Sequence, residues 1–233
     1  YELHPEYLAT KYAKELPLPQ IGVQHHHAHV VSVMAEHGLN EPVIGVAFDG
    51  TGYGSDGAIW GGEFMVADCC DFRRVVHCSY LPLPGGSQTI KQPWRLAAWI
   101  LSKLYGERMD SLPLEFVRSL PPEWPTVLKA AEKRINTPLT SSAGRLFDAA
   151  SALLGIRGSI HYEGQAAVEL ELAAGRRTGR LLPFSISEGA PGQLDFLPTF
   201  AAMTELLRAG EEPTELAASF HNTVAAAIVT TVG

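Results

Sequence analysis

Basic residues are few in this sequence. Its 233 residues include 18 lysines and arginines against 25 aspartates and glutamates, which gives a formal net charge of -7. A surface that binds a nucleic-acid backbone normally carries a long basic stretch, and the only basic doublets here are Arg73-Arg74 and Arg176-Arg177. The composition therefore predicts no nucleic-acid partner. It does not exclude a small anionic ligand, because a few backbone amides or one cation can bind such a ligand.

Cysteines and long apolar runs are also scarce. Cys69, Cys70 and Cys78 match neither a CxxC pair nor an even-numbered disulfide framework, so we expect reduced thiols. No segment reaches the ~18 to 20 consecutive apolar residues of a membrane span. The N-terminal residues lack the basic and then apolar pattern of a secretion signal. We therefore predict a cytoplasmic protein without a membrane partner, and the start without Met indicates a fragment.

The sequence does contain alternating strand and helix patterns, with 46% hydrophobic residues to form a core. The β-branched run from Val43 to Asp49 predicts a buried strand that ends in an acid. Residues 58–67 predict a second strand, with a bulge or a close backbone approach at Gly61-Gly62. Helices are predicted over residues 24–36, 93–105, 126–135, 142–154, 165–174, 199–209 and 214–232, and an extended segment over 183–197.

A glycine-rich loop is predicted between the first two strands, from Asp49 to Gly57. Glycines allow successive amide groups to point at one anion, and Thr51 adds a hydroxyl donor, so phosphate is a natural ligand. The alternative is a simple hairpin turn. Because a strand and not a helix follows the loop, Rossmann and P-loop sites are disfavoured.

A run of histidines lies on the first of these predicted helices. His25 and His29 are four residues apart and share a face with Glu36, so the two imidazoles can bind one divalent cation. Asp49 could supply an oxygen ligand to the same ion, and two histidines with one carboxylate suit iron or zinc with open positions. The alternative is a solvated histidine run or the remnant of a tag.

Four further positions have both a functional and a structural interpretation. Asp148 could accept hydrogen bonds from ribose hydroxyls, or it could form a helix ion pair with Arg145. Gly164 could leave room for a nucleoside, or it could simply start a helix. Lys91 and Arg95 could contact an anionic group, or they could be solvated residues in the first turn of a helix.

These residues together resemble the HypF family, the carbamoyltransferases of nickel-iron hydrogenase maturation. The resemblance rests on motifs in the family's order: Leu3-His-Pro-Glu-Tyr7, Val23-Gln-His-His-His-Ala-His29, Phe48-Asp-Gly-Thr-Gly-Tyr-Gly54, Ile59-Trp-Gly-Gly-Glu63, Leu83-Pro-Gly-Gly86, Gly144-Arg-Leu-Phe-Asp148 and Tyr162-Glu-Gly-Gln-Ala-Ala167. Two departures stand out. Ser87 occupies a position where the family has an acid. Family members also continue beyond Gly233 into a second glycine loop and an aspartate ligand, so we expect a chain truncated at both ends.

The resemblance implies a mixed α/β, actin-like fold of two lobes, residues 1–120 and a mainly helical 121–233, with the second lobe incomplete. It implies metal ligands at His25, His29 and Asp49. It also implies a nucleotide-binding set, with phosphates against the first three residues and the ribose near the last three: Gly50, Thr51, Gly52, Asp148, Gly164 and Glu169.

The resemblance also supplies a reaction. Carbamoyl phosphate and ATP form carbamoyl-adenylate in an upstream domain of the same polypeptide, and this domain passes the carbamoyl group to the C-terminal cysteine of HypE. That group later becomes a cyanide ligand of the hydrogenase iron. The implied cofactors are ATP or carbamoyl-adenylate and a divalent metal, iron or zinc, with magnesium as a further option. Two alternatives stay open: a module that binds nucleotide and HypE without catalysis, and a relative of the tRNA threonylcarbamoyl transferases.

Overall fold

The computed structural model describes residues 1–233 and contains ten α-helices, one short 3-10 helix at Gly106–Ser111 and seven strands. The helices are α1 (Leu8–Glu15), α2 (His25–His37), α3 (Ser87–Lys91), α4 (Trp94–Tyr105), α5 (Glu115–Arg118), α6 (Trp124–Glu132), α7 (Ala143–Leu153), α8 (Gln165–Ala174), α9 (Leu197–Arg208) and α10 (Pro213–Val232). The strands are β1 (Val43–Tyr53), β2 (Ile59–Ala67), β3 (Phe72–Cys78), β4 (Leu81–Pro82), β5 (Leu139–Thr140), β6 (Ser185–Ser187) and β7 (Gly192–Asp195).

All seven strands form one mixed sheet, so the predicted mixed α/β class is confirmed. The hydrogen-bonded order is β4-β5-β2-β3-β7-β6, and β1 pairs with β2 outside this path. β2 runs antiparallel to both β1 and β3, whereas the β2–β5 and β3–β7 pairs are parallel. The sheet thus joins strands from before and after residue 120, and the division into two lobes at that residue stays a prediction.

The core has a large part and a small part. A cluster of 35 buried residues, from Phe64 on β2 to Ala227 on α10, packs the helices against the sheet. A second cluster of five residues holds α2 against β1 and β2: Val30, Met34, Ala47, Met65 and Ala67. None of the helices combines the length and apolar character needed to cross a membrane. Cys69, Cys70 and Cys78 are free thiols, as expected.

The predicted helices agree with the structure to within a few residues at their ends, because their end signals work as expected. The Gln24 side chain caps α2 and the Ser142 hydroxyl caps α7 by accepting backbone N–H groups. Gly38 ends α2 in the left-handed conformation, with φ of 65°.

The predicted glycine loop is wrong in its extent. β1 continues through Tyr53, so residues 50–52 belong to a strand and only a tight turn remains before β2. The physical reason is that Gly52 pairs again with Trp60 after an irregularity. Between the Phe48–Gly62 and Gly52–Trp60 pairs, β1 has three residues where β2 has only Gly61. The extra residues therefore lie in β1, and Gly61-Gly62 is the site of the close approach.

Candidate metal centre and adjoining cavity

The position of α2 is set by contacts at its N-terminus and along its apolar face. Gln24 accepts the backbone N–H of His26 at 2.6 Å, and its amide group donates to the carbonyl oxygen of Tyr53 at 2.7 Å. The apolar face of α2, with Val30 and Met34, packs on β1 and β2. The start of α2 is thereby fixed beside the irregular segment of β1, and the exposed edge of the helix faces Asp49.

The three predicted metal ligands converge in the structure. The Nε2 atom of His25 lies 2.7 Å from Oδ2 of Asp49, and the Nε2 atom of His29 lies 3.3 Å from the same oxygen. The two nitrogens are 3.1 Å apart. Ligand atoms ~2.1 Å from one tetrahedral zinc ion lie roughly 3.4 Å from each other. The spacing of the three atoms therefore fits one ion with at least one open position, and these side chains are the ones that could hold it.

The charge of Asp49 also suits a cation. Burial raises the pKa of the Asp49 carboxyl, but the Gly50 N–H that donates to it and the neighbouring His25 and His29 outweigh burial, so the pKa lies below its ordinary value. The Gly50 amide nitrogen lies 2.5 Å from Oδ1 of Asp49, and Oδ2 is the oxygen that faces the two histidines. Asp49 is thus a carboxylate at neutral pH with one oxygen directed at the cluster.

The other two histidines of the run, His26 and His27, make different contacts. His26 is fully buried, and burial lowers its pKa to about 4, so its ring is neutral. Gly52 lies against this ring and against His25: a Cβ atom at Gly52 would be 3.0 Å from Cδ2 of His25. His27 donates from Nε2 to the Asp68 carbonyl oxygen at 2.7 Å. Gly52 therefore serves the packing of α2.

The backbone of Asp49 and Gly50 is clamped by the start of α7. The Ser142 hydroxyl lies 2.8 Å from the Asp49 carbonyl oxygen and 2.7 Å from the Gly50 carbonyl oxygen. A Cβ atom at Gly144 would lie 2.8 Å from Cα of Gly50, so only glycine permits this approach. The Gly50 amide is already bonded to Asp49, so a phosphate could reach it only by replacing that bond.

A cavity of about 400 Å³ adjoins the cluster, between the irregular part of β1 and the starts of α7 and α8. Asp49 belongs to the cluster and also lines this cavity. Gly50, Asp148 and Gly164, which were predicted to contact a nucleotide, line it too. Gly164 adopts a left-handed conformation with φ of 78° just before α8, which explains the glycine. The cavity therefore brings together four of the predicted site residues.

Asp148, which lines this cavity, forms an ion pair with Arg145. This is the structural alternative that the sequence left open for Asp148. Its Oδ2 lies 2.8 Å from Nε of Arg145, and both side chains are buried. Neither of these two atoms has a hydrogen-bond partner, so the contact is an ion pair. Burial raises the pKa of Asp148 against the lowering effect of Arg145. The role of Asp148 toward a ribose stays a prediction.

The remaining predicted contacts lie outside the residues that line the cavity. Glu169 accepts two hydrogen bonds from Arg157, at 2.7 and 2.9 Å, and one from Gln165. Arg95 donates to Gln92 at 2.6 Å and to the Pro84 carbonyl oxygen at 3.3 Å, and thus stabilises the neighbouring loop. Lys91 is exposed at the end of α3, and Thr51 is half-buried in β1. Their contacts with a nucleotide or an anion stay predictions.

One buried charge network, formed by Glu63 and Arg74, is not predicted from the sequence. The Nε atom of Arg74 lies 2.5 Å from Glu63 on β2, and the Glu63 side chain is completely buried. One signal for it exists in the sequence: Glu63 is an acid inside a strand whose other residues are nearly all apolar or glycine. A buried acid requires a partner, but the identity of that partner follows only from the pairing of β2 with β3.

Two protein-family models match nearly the whole length of the chain. A family described as "Carbamoyltransferase, Kae1-like Domain, second subdomain" matches residues 45–233, and one described as "HypF Kae1-like domain" matches residues 1–36. Carbamoyltransferase HypF2 of Cupriavidus necator is 46% identical over 176 residues, which are 73% of this chain and 21% of that protein. Carbamoyltransferase HypF of Rhizobium leguminosarum bv. viciae is 39% identical over 97% of this chain and 29% of that protein.

A solved structure is similar along nearly the full chain. It is the crystal structure of full-length HypF in the phosphate- and nucleotide-bound form, with a TM-score of 0.89 and 40% identity over 99% of this chain and 36% of that one. This chain therefore spans between about a fifth and a third of the length of these three relatives. The sequence matches and the shared fold agree, and the chain belongs to the HypF carbamoyltransferase family, a family of transferases.

Proposed function

We propose that this chain is the part of its family's enzyme that binds carbamoyl-adenylate or ATP and passes the carbamoyl group to the C-terminal cysteine of HypE. The observation that carries the proposal is the shared position of Asp49. Its carboxylate completes the histidine cluster, and it also lines the adjoining cavity. A metal ion and a nucleotide bound at these two places would touch.

The cavity's own charges support a metal requirement. Its lining residues include three carboxylates, Asp49, Asp148 and Glu163, and one cation, Arg145. An anionic nucleotide would be repelled by this set unless a positive charge offsets it. A divalent ion on His25, His29 and Asp49 would supply that charge, because bound cations are often the largest local charges in such a site.

The chemistry that such an ion supplies is Lewis acidity toward a carbonyl or phosphoryl oxygen. The chain's own residues hold the ligand set in place. Gly50 fixes the orientation of the Asp49 carboxylate, and Ser142 fixes its backbone. The cavity has the size of an ordinary ligand site, which is ~300 to 1,000 Å³. Gly50, Asp148 and Gly164 would then lie against the nucleotide. Glu169 lies one turn further along α8 and is hydrogen-bonded to Gln165.

The proposed transfer is a substitution at the carbamoyl carbon. The HypE thiolate forms a bond from sulfur to this carbon, and the bond from the carbon to the adenylate oxygen breaks. AMP leaves with the electron pair, and the thiol proton is lost to solvent before attack, since the thiolate is the nucleophile. The products are an S-carbamoyl cysteine and AMP. No side chain of this chain has to act as the base.

The experiment is a transfer assay with purified chain, synthetic carbamoyl-adenylate and HypE. Mass spectrometry of HypE would detect a carbamoyl group on its terminal cysteine. His25→Ala and Asp49→Ala should abolish the transfer. His37→Ala is the matched control, because His37 lies on the same helix but is exposed at its far end.

The outcomes separate the alternatives. Transfer that survives both substitutions would refute the metal mechanism. Binding of HypE and nucleotide without transfer would favour the non-catalytic module. Transfer to tRNA in place of HypE would favour the threonylcarbamoyl branch, which the acidic net charge disfavours.

A further inference from the structure

Glu63 is a buried carboxylate on β2, behind the histidine cluster. Its Oε1 accepts the backbone N–H groups of Gly61 and Gly62, each at 3.1 Å, and the hydroxyl of Ser141 at 2.5 Å. Its Oε2 accepts Nε–H of Arg74 at 2.5 Å. A buried charge is tolerated only when it is paired and hydrogen-bonded. Four donors meet that requirement here, and they come from three separate segments of the chain.

The donors to Glu63 lie on both sides of Asp49. On the β2 side, Gly61 approaches so closely that a Cβ atom there would lie 2.5 Å from the Asp49 carbonyl oxygen. On the α7 side, the Ser142 hydroxyl lies 2.8 Å from the same oxygen. Glu63 is bonded to Gly61 itself and to Ser141, the neighbour of Ser142. One carboxylate therefore connects the two surfaces between which the Asp49 backbone is held.

Arg74 holds the Glu63 side chain in place. Besides Glu63, its guanidinium donates to the Tyr80 hydroxyl at 2.6 Å and to the Ser141 hydroxyl at 3.1 Å. The guanidinium carbon lies 4.0 Å from the centre of the Trp60 ring, on which it stacks. With a further bond to Oδ2 of Asp56 at 3.3 Å, most of the N–H donors of Arg74 are used within the protein, which argues against an anion site at this arginine.

We propose that Glu63 is a positioning residue for Asp49. By holding Gly61 and Ser141 at a fixed separation, it keeps Oδ2 of Asp49 at the point where the nitrogens of His25 and His29 converge. Glu63 itself touches neither the metal position nor the cavity. This inference rests on the proposed function, in which the cluster holds an ion, but the clamp on Asp49 can be measured without any ion.

The test compares the protein with its Glu63→Gln variant by two measurements. Gln keeps the shape and one acceptor oxygen, but it removes the charge that pairs with Arg74. Amide hydrogen exchange of the metal-free proteins should become about tenfold faster across Phe48–Tyr53, while residues 43–47 of the same strand exchange as before. In a Co²⁺ titration followed by visible absorption, the affinity should fall about tenfold, as is typical when groups that orient metal ligands are changed.

Two further variants separate positioning from general loss of stability. Met203→Ala removes a fully buried side chain from α9, which packs against α4 and α10 and is remote from Asp49. It should lower the melting temperature but change neither Co²⁺ affinity nor the exchange of residues 48–53. Arg74→Lys keeps a positive charge beside Glu63 but cannot also make the guanidinium contacts with Tyr80, Ser141 and Trp60, so it should fold and show a smaller effect of the same kind.

The inference is overturned if Glu63→Gln exchanges and binds Co²⁺ like the unchanged protein, or if Met203→Ala reproduces both effects. A parent protein that binds no Co²⁺ would contradict the proposed metal centre. Faster exchange confined to residues 48–53 in Glu63→Gln would still support the positioning role in that case.

Discussion

The histidine cluster and the cavity beside it share Asp49, but their side chains differ in what they already contact. In the cluster, Oδ2 of Asp49 and the Nε2 atoms of His25 and His29 converge on one another at 2.7 to 3.3 Å, which is the arrangement that a cation would complete. In the cavity, Asp148 is already paired with Arg145. The comparison teaches that a cation can bind with little rearrangement, whereas an anionic ligand has to compete with existing pairs.

The largest effect on stability is expected when a substitution breaks the ion pair in the cavity. Arg145→Met leaves the carboxylate of Asp148 buried without a charge partner, which should lower the free energy of unfolding by about 3–5 kcal/mol. Urea denaturation measures this change. The double variant Arg145→Met with Asp148→Leu should recover most of the loss, because it removes both charges. A single variant as stable as the parent would show that the pair contributes nothing to the fold.

The next effect concerns the cluster. Asp49→Asn removes the only charged ligand, so the affinity for Zn²⁺ or Co²⁺ should fall about 100-fold, which corresponds to about 2.7 kcal/mol. Adenine nucleotide should then also bind more weakly, since the two carboxylates that remain in the cavity, Asp148 and Glu163, lose their compensating cation. Calorimetric titrations with and without the metal measure both. Equal nucleotide affinity in the presence and absence of metal would show that the cluster and the cavity bind independently. That result would contradict the proposed contact between the metal and the nucleotide.

A third effect depends on pH. The pKa of His26 falls to about 4 in the folded state, so the unfolded state binds the additional proton as the pH decreases below the ordinary histidine value. The contribution of His26 to the free energy of unfolding is therefore fully present above the ordinary histidine pKa and decreases as the pH falls toward the folded-state pKa. The expected loss is about 2 kcal/mol between about pH 7 and about pH 5. His26→Asn, whose amide nitrogen replaces Nδ1–H, should remove this component. An unchanged slope of stability against pH would rule it out.

The smallest effect is at the cavity rim. Gly164→Ala places a side chain at a φ of 78°, where the left-handed backbone costs about 1 kcal/mol for residues other than glycine. The added Cβ atom meets no other atom within 4 Å. Stability, measured by thermal melting, should therefore fall slightly, and nucleotide affinity should also fall because the proposed nucleotide position lies against this residue. A nucleotide affinity that stays the same would place the nucleoside elsewhere in the cavity.

Much of the cluster could be predicted because its signals are local. The four-residue spacing places His25 and His29 on one side of a helix, and the apolar run before Asp49 defines a strand end. The Glu63 network could not be predicted in this way. Its partners Arg74 and Ser141 lie 11 and 78 residues away, and only sheet pairing and the packing of α7 bring them together. The extension of β1 through Gly52 likewise depends on pairing with Trp60, which outweighs the local preference of glycine for a loop.

The most direct test of the central claim is an anomalous difference map from a crystal of the chain soaked with Zn²⁺ or grown with Fe²⁺. The account predicts one strong peak about 2.0 to 2.2 Å from Nε2 of His25, Nε2 of His29 and Oδ2 of Asp49. A map without a peak at this position, or with its strongest peak at the exposed Cys69 and Cys70, would contradict it.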